Sequence, residues 1–274
     1  ILGTAQSTLT KFPYLRKIWN KNTEEERLLG VSLTGIMDNE LTNGRKHGLE
    51  KTLTALREIA VETNKEWSAI FGIPQSTAIT CVKPSGTVSQ LVDSSSGIHP
   101  RHSSYYIRTV RGDNKDPLTN FMIDSGIPSE ADFMKPDTQT VFSFPMKSPK
   151  KSVVRNDMTA IQQLEMWLIY QRHWCEHKPS VTISVRDDEW MEVGAFVFKH
   201  FDEMSGVSFL PHSDHTYQQA PYQDCTKAVY DDFSSKFSHI DWNKFTDYEK
   251  EDNTNSSQTF ACSGDSCEIV DIGA

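Results

Sequence analysis

Several features of membrane and secreted proteins are missing from this sequence of 274 residues. No apolar run approaches the ~20 residues that a membrane-spanning helix requires, so no membrane partner is expected. Residues 1–6 show no basic stretch followed by an apolar one, which argues against a secretory signal peptide. An initiator Met is also absent, so we expect a chain that was processed or trimmed, or one part of a longer polypeptide.

Basic residues are in the minority. Lys and Arg together number 28 against 37 Asp and Glu, which gives a net charge of −9. Such a chain lacks the surplus cations that replace counterions along a nucleic-acid backbone, so no nucleic-acid polymer is expected as a partner. A small anionic substrate stays possible, because it needs only a local pocket of donors.

Cysteine is scarce, and its number is odd. Three of the five cysteines are scattered (Cys81, Cys175 and Cys225), and two lie close together near the end (Cys262 and Cys267). This distribution does not fit a framework of disulfides. We therefore expect a reducing, cytoplasmic compartment, in which a close cysteine pair is more often catalytic or metal-binding than structural.

The hydrophobic pattern predicts an α/β fold with largely parallel strands, because short β-type runs alternate with helices. Helices are predicted at 49–71, 116–124, 159–177 and 188–204, and strands at 28–37, 77–82, 105–110, 140–144, 181–185 and 206–210. Five aromatic residues on these helices have core-like spacing and are predicted to pack inside: Trp167, Trp174, Phe196, Phe198 and Phe201. Residues 249–259 are polar and nearly free of aliphatic side chains, so we predict a folded region at 1–247 and a flexible tail at 248–274.

The cysteine pair is the first candidate for chemistry. Four residues separate Cys262 from Cys267, and Gly264 between them allows the chain to fold back. Two thiols this close can form a disulfide with little loop-closure entropy, and on a mobile tail they can exchange with two partners in turn. Two alternatives stay open at this point: half of a zinc site, which needs four ligands, or two unrelated surface cysteines.

The second candidate is the segment Lys83–Ser89, which follows a predicted strand. A Gly-containing turn that leads into a helix presents free backbone N–H groups to phosphate, and the hydroxyls of Ser85 and Thr87 would add donors. The Walker pattern is absent, because no Gly-Lys-Ser/Thr follows at the required spacing. An ordinary strand-to-helix turn is the alternative.

Histidine offers a third pattern. His173 and His177 are one helical turn apart and share a face, but no His-Glu-x-x-His arrangement accompanies them. We interpret the pair as part of a partly exposed helix end and predict no metal site.

Four segments in order carry a resemblance: Glu26–Gly35, Val82–Val88, Tyr217–Pro221 and the cysteine tail. Together they resemble the C-terminal part of adenosylcobalamin-dependent (class II) ribonucleotide reductases of bacteria and their phages. The resemblance implies the C-terminal portion of a ten-stranded α/β barrel. It also implies that the substrate phosphates bind at Pro84, Ser85, Gly86, Thr87 and Val88.

The same resemblance implies a reaction. Adenosylcobalamin would generate a thiyl radical that abstracts the ribose 3′-hydrogen, the 2′-hydroxyl would leave as water, and two cysteines would supply electrons. Cys262 and Cys267 would then re-reduce the active-site disulfide and be reduced in turn by a thioredoxin-like protein. The substrate would be a nucleoside diphosphate or triphosphate.

The sequence departs from the family at the radical site. The motif Asn-Pro-Cys-x-Glu is absent, and Cys81, Cys175 and Cys225 lie in the wrong contexts for the active-site disulfide. Half a barrel also leaves uncovered strand edges. We therefore predict a separate or missing N-terminal chain that completes the enzyme. Class II is favoured over class I because the matching region, Pro211–Gln219, has a single tyrosine where class I enzymes carry an adjacent pair. A class I fragment or a non-catalytic regulatory fragment is the alternative.

Overall fold

The computed structural model describes residues 1–83, 85–212 and 217–249, and the backbone of 259–263 and 266–270. The chain divides into two compact units. Unit 1 contains residues 1–106 and 146–216, and unit 2 contains residues 107–145 and 217–274. The division at 247/248 that the sequence suggested stays a prediction.

The elements are as follows. The helices are α1 (Leu2–Gln6), α2 (Lys17–Glu26), α3 (Leu49–Phe71), α4 (Val88–Leu91), α5 (Pro117–Asp124), α6 (Ala160–His173), α7 (Trp190–Lys199) and α8 (Lys227–Ser235). The strands are β1 (Val31–Ser32), β2 (Thr80–Cys81), β3 (Tyr105–Asp113), β4 (Ser129–Ala131), β5 (Gln139–Lys147), β6 (Thr182–Val185), β7 (Ser208–Pro211), β8 (Tyr222–Asp224), β9 (Thr259–Ser263) and β10 (Ser266–Val270). Short 3-10 helices lie at Ile36–Asp38, Arg155–Asp157, Phe201–Glu203 and Trp242–Asp247.

Parallel strand pairs form the frame of unit 1. β1 runs parallel to β2, and β6 runs parallel to β7. A parallel bridge between Val82 and Pro179 joins the two pairs, and the Ser180 N–H donates to the Val82 carbonyl at 2.7 Å. Parallel neighbours need a crossover, which α3 supplies between β1 and β2 and α7 supplies between β6 and β7. The predicted α/β class is thus confirmed.

Helix α6 supplies much of the core of unit 1. Its start is fixed by a capping box, in which Thr159 accepts from the Gln162 N–H and Gln162 accepts from the Thr159 N–H. Leu164, Trp167 and Tyr170 are fully buried. The indole N–H of Trp167 donates to the Pro179 carbonyl at 2.8 Å, which anchors α6 to the bridge between the two strand pairs.

The prediction that all five helix aromatics pack inside is wrong for two of them. Trp167 and Trp174 are buried, and Phe196 packs partly against the core. Phe198 is 87% exposed and Phe201 is 70% exposed. Phe196 and Phe198 are two positions apart, which is about 200° around a helix, so both cannot face the same core.

The predicted strand at 28–37 is much shorter in the structure. Only Val31–Ser32 pairs as a strand. Gly35 then takes a left-handed conformation with φ of 71°, and Ile36–Asp38 continues as a 3-10 helix. A left-handed residue cannot continue an extended strand, so the apolar run turns inward at Gly35, and Ile36 and Met37 are buried at the turn.

Unit 2 is built on a four-stranded sheet in the order β4-β5-β3-β8. β4 and β5 are antiparallel, so the expectation of largely parallel strands holds for unit 1 but fails for this pair. α5 starts at Pro117 with the Asp116 carboxylate accepting from the Leu118 N–H. An apolar cluster lies beside the sheet, and its buried members are Phe121, Met122, Ile127 and Phe142. Across the described ranges, none of the helices has the length and apolar character to cross a bilayer.

Candidate functional site

The predicted phosphate-binding turn lies between β2 and α4. Pro84 lies outside the described residues. Ser85 is buried, whereas Gly86, Thr87 and Val88 are exposed. A Cβ atom built on Gly86 would meet nothing within 4 Å, so the backbone is open to approach at this point. The strand-turn-helix arrangement expected from the sequence is therefore present over the residues that the structure describes.

Hydroxyl groups surround Ser85 on its buried side. Ser85 Oγ lies 3.0 Å from Thr34 Oγ1, and the Ser85 N–H donates to Ser96 Oγ at 3.2 Å. The Ser89 hydroxyl donates to the Ser85 carbonyl. Ser85 is thus held through its side chain, its amide and its carbonyl, so the start of the turn has a fixed position.

The loop that supplies Ser96 is fixed by Asp38. The Asp38 carboxylate accepts from the Ser95 N–H at 2.7 Å and from the Ser152 hydroxyl at 2.9 Å. The Arg101 guanidinium donates to both carboxylate oxygens, at 3.0 Å from Nε to Oδ1 and 2.9 Å from Nη2 to Oδ2. This two-point pairing ties the loop to the 3-10 helix Ile36–Asp38.

Arg101 is buried and strongly held as a cation. Burial acts to lower the pKa of its guanidinium, but the hydrogen bonds to Asp38, Tyr106 and Asp93 outweigh burial and raise the pKa overall. The side chain of Arg101 is 4% exposed, and that of Asp38 is 13% exposed. The positive charge is therefore neutralised inside the protein and serves the loop rather than a ligand.

His99 links the same loop to β6. Its Nε2 accepts from the Thr182 N–H at 3.0 Å, so Nδ1 carries the proton and donates to the Ser96 carbonyl at 2.8 Å. Burial lowers the pKa of His99. Both ring nitrogens are engaged in the neutral imidazole, which leaves neither for a metal.

The histidines of the pair noted in the sequence, His173 and His177, also make structural contacts. α6 ends at His173, whose Nδ1 lies 3.1 Å from Thr54 Oγ1. His177 lies beyond the helix, and its Nε2 is 2.8 Å from the Leu29 carbonyl. Within the described residues, no group of three or more His, Cys, Asp or Glu side chains is arranged to hold a metal ion.

Three thiols are described, and all are free. Burial, with a contribution from the nearby Cys81, raises the pKa of Cys175 to about 12. Burial also raises the pKa of Cys81 and, together with Asp224, that of Cys225. A thiol exchanges disulfides as the thiolate, so these three groups are poorly suited to redox exchange at neutral pH.

The two tail cysteines lie on a hairpin. β9 and β10 are antiparallel, and their register sets Cys262 directly opposite Cys267. Directly opposed residues in antiparallel strands have Cα atoms about 4.5–5.5 Å apart, which falls within the range of a disulfide. Gly264, expected to allow the reversal, lies outside the described residues.

Known proteins resemble this chain over most of its length. A probable adenosylcobalamin-dependent ribonucleoside-triphosphate reductase of Dictyostelium discoideum is 28% identical over 267 residues, which is 95% of this chain and 34% of the relative. The adenosylcobalamin-dependent ribonucleoside-triphosphate reductase of Euglena gracilis is 29% identical over 82% of this chain and 31% of its own length. That of Lactobacillus delbrueckii subsp. bulgaricus is 26% identical over 84% of this chain and 35% of its own length.

The chain is similar to part of an adenosylcobalamin-dependent ribonucleotide reductase. It spans about a third of the length of these curated relatives, which fits the C-terminal part predicted from the sequence. No model of a known protein family matches the chain.

The fold of a solved structure agrees. The crystal structure of a B-12 dependent (class II) ribonucleotide reductase superposes with a TM-score of 0.77 at 24% identity, over 88% of this chain and 37% of that chain. The predicted fold class, part of a reductase-type α/β barrel, is confirmed.

The reductase-like segment Tyr217–Pro221 has a structural role in unit 2. Gln219 is buried, with φ of 57°. Its amide nitrogen donates to the Ala131 carbonyl at 2.7 Å and to Glu130 Oε1 at 3.0 Å, and its amide oxygen accepts from the Phe133 N–H at 2.8 Å. Gln219 thus ties its own segment to β4 and the turn after it.

Sequence reasoning missed the residues that support the turn. Thr34 lies within the reductase-like segment Glu26–Gly35 but was assigned no role, and Asp38 and Arg101 were not singled out. Thr34 contacts Ser85 across 51 positions of sequence, Asp38 contacts Ser95 across 57, and Arg101 pairs with Asp38 across 63. No local spacing signals such a contact. A buried Arg can be recognised only after the fold is known.

Proposed function

We propose that this chain is the C-terminal part of the catalytic component of an adenosylcobalamin-dependent ribonucleotide reductase, which reduces ribonucleotides to deoxyribonucleotides. The observation that carries the proposal is the alignment with such reductases over 82% to 95% of the chain. The relatives are named triphosphate reductases, so a ribonucleoside triphosphate is the proposed substrate. The proposed compartment is a reducing cytoplasm, because the exchange proposed below for the tail cysteines needs free thiols.

The proposed role of the turn is to bind the substrate phosphates through residues 84–88. The exposure of Gly86, Thr87 and Val88 supports this role, because their backbone N–H groups can reach an anion without a side chain in the way. The Thr87 hydroxyl makes no cap to α4 within the described chain, so it is available as a further donor. The net charge of −9 does not oppose binding, because the donors are local.

The proposed role of Cys262 and Cys267 is to carry electrons. One tail thiolate attacks one sulfur of the active-site disulfide, forms a mixed disulfide with it and releases the other active-site sulfur as a thiolate. The second tail thiolate then attacks the first tail sulfur and displaces the remaining active-site sulfur. The active site gains two electrons and two protons, and the tail becomes the disulfide. A thioredoxin-like dithiol then reduces the tail by the same exchange. The hairpin register supports this role because it sets the two residues opposite each other.

Adenosylcobalamin is proposed as the cofactor because the relatives are named for it, and when bound it would supply the initiating radical. No residue of the described chain is assigned to it. His99 is engaged with the Thr182 N–H at the start of β6, and His177 lies 2.8 Å from the carbonyl of Leu29, just before β1.

The remaining two thirds of the reductase are proposed to reside in an N-terminal part that carries Asn-Pro-Cys-x-Glu. The exposed apolar residues on β1 and β7, the outer strands of the two joined pairs, support the need for this part. Val31 on β1 is 40% exposed, and Leu210 on β7 is 57% exposed. An N-terminal part that continued the barrel would cover both edges.

The decisive test is nucleotide reduction by the chain combined with its N-terminal part. Deoxyribonucleotide formation from a ribonucleoside triphosphate should require both adenosylcobalamin and the N-terminal part. Activity without adenosylcobalamin would contradict the class assignment. Binding of nucleotide without turnover under all conditions would indicate a regulatory fragment.

The shuttle is tested by Cys262→Ser and Cys267→Ser in the same assembly. Each variant should retain single-turnover reduction by the pre-reduced enzyme but lose multiple turnovers with thioredoxin, because one thiol cannot complete the exchange. Cys225→Ser is the matched control and should sustain turnover. Steady-state activity at the wild-type level in either tail variant would overturn the assignment of these cysteines.

A further inference from the structure

Thr34 contacts the proposed phosphate turn from outside that turn. Its Oγ1 lies 3.0 Å from Ser85 Oγ and 3.1 Å from the Ser95 carbonyl oxygen. Thr34 is an exposed residue, whereas Ser85 and Ser95 are buried. The Thr34 hydroxyl therefore stands between the interior of the protein and the face on which a ligand of the turn would lie.

Counting protons sets the direction of these hydrogen bonds. Each hydroxyl has one proton to donate and two lone pairs to accept with. The Ser95 carbonyl can only accept, so Thr34 donates its proton to Ser95. Ser85 must then donate to Thr34 if the 3.0 Å contact is a hydrogen bond. In this arrangement the Ser85 hydroxyl proton is committed to Thr34 and is not offered to a phosphate.

Reversal of the same contact frees that proton. If Thr34 turns its own proton toward Ser85 Oγ, Ser85 can donate outward. The Ser95 carbonyl keeps a partner in that state, because it also accepts from the Gly35 N–H at 2.8 Å. No proton leaves the pair, and only two hydroxyl rotations occur. The reversal therefore leaves no buried acceptor without a donor.

We propose that Thr34 is a positioning residue for substrate phosphate: its hydroxyl holds Ser85 Oγ and reverses its donor role when Ser85 donates to a phosphate oxygen. This inference rests on the proposed function of the turn. Ser96 acts from the other side, since it accepts the Ser85 N–H at 3.2 Å. The Ser85 hydroxyl also lies 3.5 Å from Ser96 Oγ, so the shorter contact of 3.0 Å with Thr34 is the one that orients it.

The backbone at Thr34 is held independently of its side chain. Gly35 takes φ of 71°, and its N–H bonds to Ser95, while the Met37 N–H donates to Ser95 Oγ at 3.1 Å. Replacement of the Thr34 hydroxyl by a methyl group should therefore leave the loop in place. Thr34→Val makes this change with almost no change in shape.

The experiment compares Thr34→Val with Thr34→Ser in the complete reductase, that is, this chain with its N-terminal part. For Thr34→Val, the KM for ribonucleoside triphosphate should rise about 5- to 10-fold, the effect of one hydrogen bond, with a smaller change in kcat. Thr34→Ser keeps the hydroxyl, so its KM for ribonucleoside triphosphate should stay close to that of the wild type. Thr52→Val is the control, because Thr52 is an exposed threonine that donates only to the Gly48 carbonyl within the described chain.

A double-mutant cycle separates positioning from a structural effect. In a Ser85→Ala background, Thr34→Val should cause no further rise in KM, because the hydroxyl that Thr34 holds is already gone. If the rises in KM caused by the two substitutions add, or if Thr34→Val leaves KM unchanged, the inference is overturned. The proposed function still stands in that case, because the wild-type assembly is active. A wild-type assembly that does not reduce nucleotides would remove the proposed function and this inference together. If Thr34→Val fails to fold, Thr34→Cys replaces it in the same cycle with the same expectations.

Discussion

The buried ion pair of Arg101 and Asp38 shows how single residues hold the site. The guanidinium also donates to the Asp93 carbonyl at 2.6 Å and to the Asp93 carboxylate at 3.0 Å. The Asp38 carboxylate in turn accepts from the Ser95 N–H, and the Ser95 carbonyl accepts from the Thr34 hydroxyl. Loss of Arg101 would leave a mostly buried carboxylate without its cation, and that carboxylate fixes the loop behind the proposed phosphate-binding turn.

Arg101→Met is therefore predicted to lower the free energy of unfolding by about 3–5 kcal/mol, the typical cost of removing one partner of a buried pair. Chemical denaturation of the complete protein measures this change. Asp93→Asn is the control and should cost less than about 1 kcal/mol, because the Asp93 carboxylate is 63% exposed. Equal losses in the two variants would contradict the distinction between buried and exposed partners.

At the scale of elements, His99 joins the loop behind the turn to the first residue of β6. It does so as a neutral imidazole, donating to Ser96 and accepting from Thr182. Because burial lowers its pKa in the folded protein, the unfolded chain binds the proton more readily than the folded chain does. The stability contributed by His99 is therefore fully present above its unfolded pKa of about 6.5 and is lost as the pH falls below that value.

We predict that the melting temperature of the protein falls between pH 7 and pH 5, and that His99→Gln flattens part of this dependence. Thermal unfolding followed by circular dichroism measures both. His47→Gln changes an exposed histidine and should leave the pH dependence as in the wild type. A profile unaltered by His99→Gln would contradict the role of His99 as a neutral link.

The sequence predicts some elements well and others poorly, for physical reasons. The helix predicted at 49–71 is found at Leu49–Phe71, because a long amphipathic pattern is a local signal. The helix predicted at 116–124 is also found, since Asp116 and Pro117 mark its start. The strand predicted at 28–37 is too long, because the residues of a buried turn are as apolar as those of a buried strand.

In the candidate site, the turn could be predicted from the sequence, but the residues that support it could not. The turn at Ser85–Val88 was predicted because its residues are contiguous in sequence. Its supports were not predicted, since Thr34 and Arg101 reach the site only through the fold. The exposed Phe198 was placed inside because aromatic spacing alone does not show which face of α7 meets a core.

At the scale of the whole molecule, two pairs of cysteines are contrasted by their surroundings and proposed roles. Cys81 and Cys175 are buried, and both have a raised pKa. With a pKa of about 12, roughly one Cys175 side chain in ten thousand is a thiolate at pH 8. The proposed shuttle cysteines must instead be accessible to a partner protein.

Alkylation with iodoacetamide at pH 8 is therefore predicted to modify Cys262 and Cys267 well before Cys81 and Cys175. Mass spectrometry of peptides taken at successive times gives the order. Labelling in 6 M guanidinium chloride is the control and should make all five rates similar. Early modification of Cys175 in the folded protein would contradict its burial.

The bridge between Val82 and Pro179 has a consequence for how unit 1 forms. The strand contacts close loops of different lengths: Thr182 and Ser208 are 26 positions apart, Val31 and Thr80 are 49 apart, and Val82 and Pro179 are 97 apart. Closing the longest of these loops costs about 1 kcal/mol more chain entropy than closing the shortest. Each helix-linked strand pair is therefore expected to form first, as a folding unit of its own. The bridge between Val82 and Pro179, which joins the two pairs, is expected to form last.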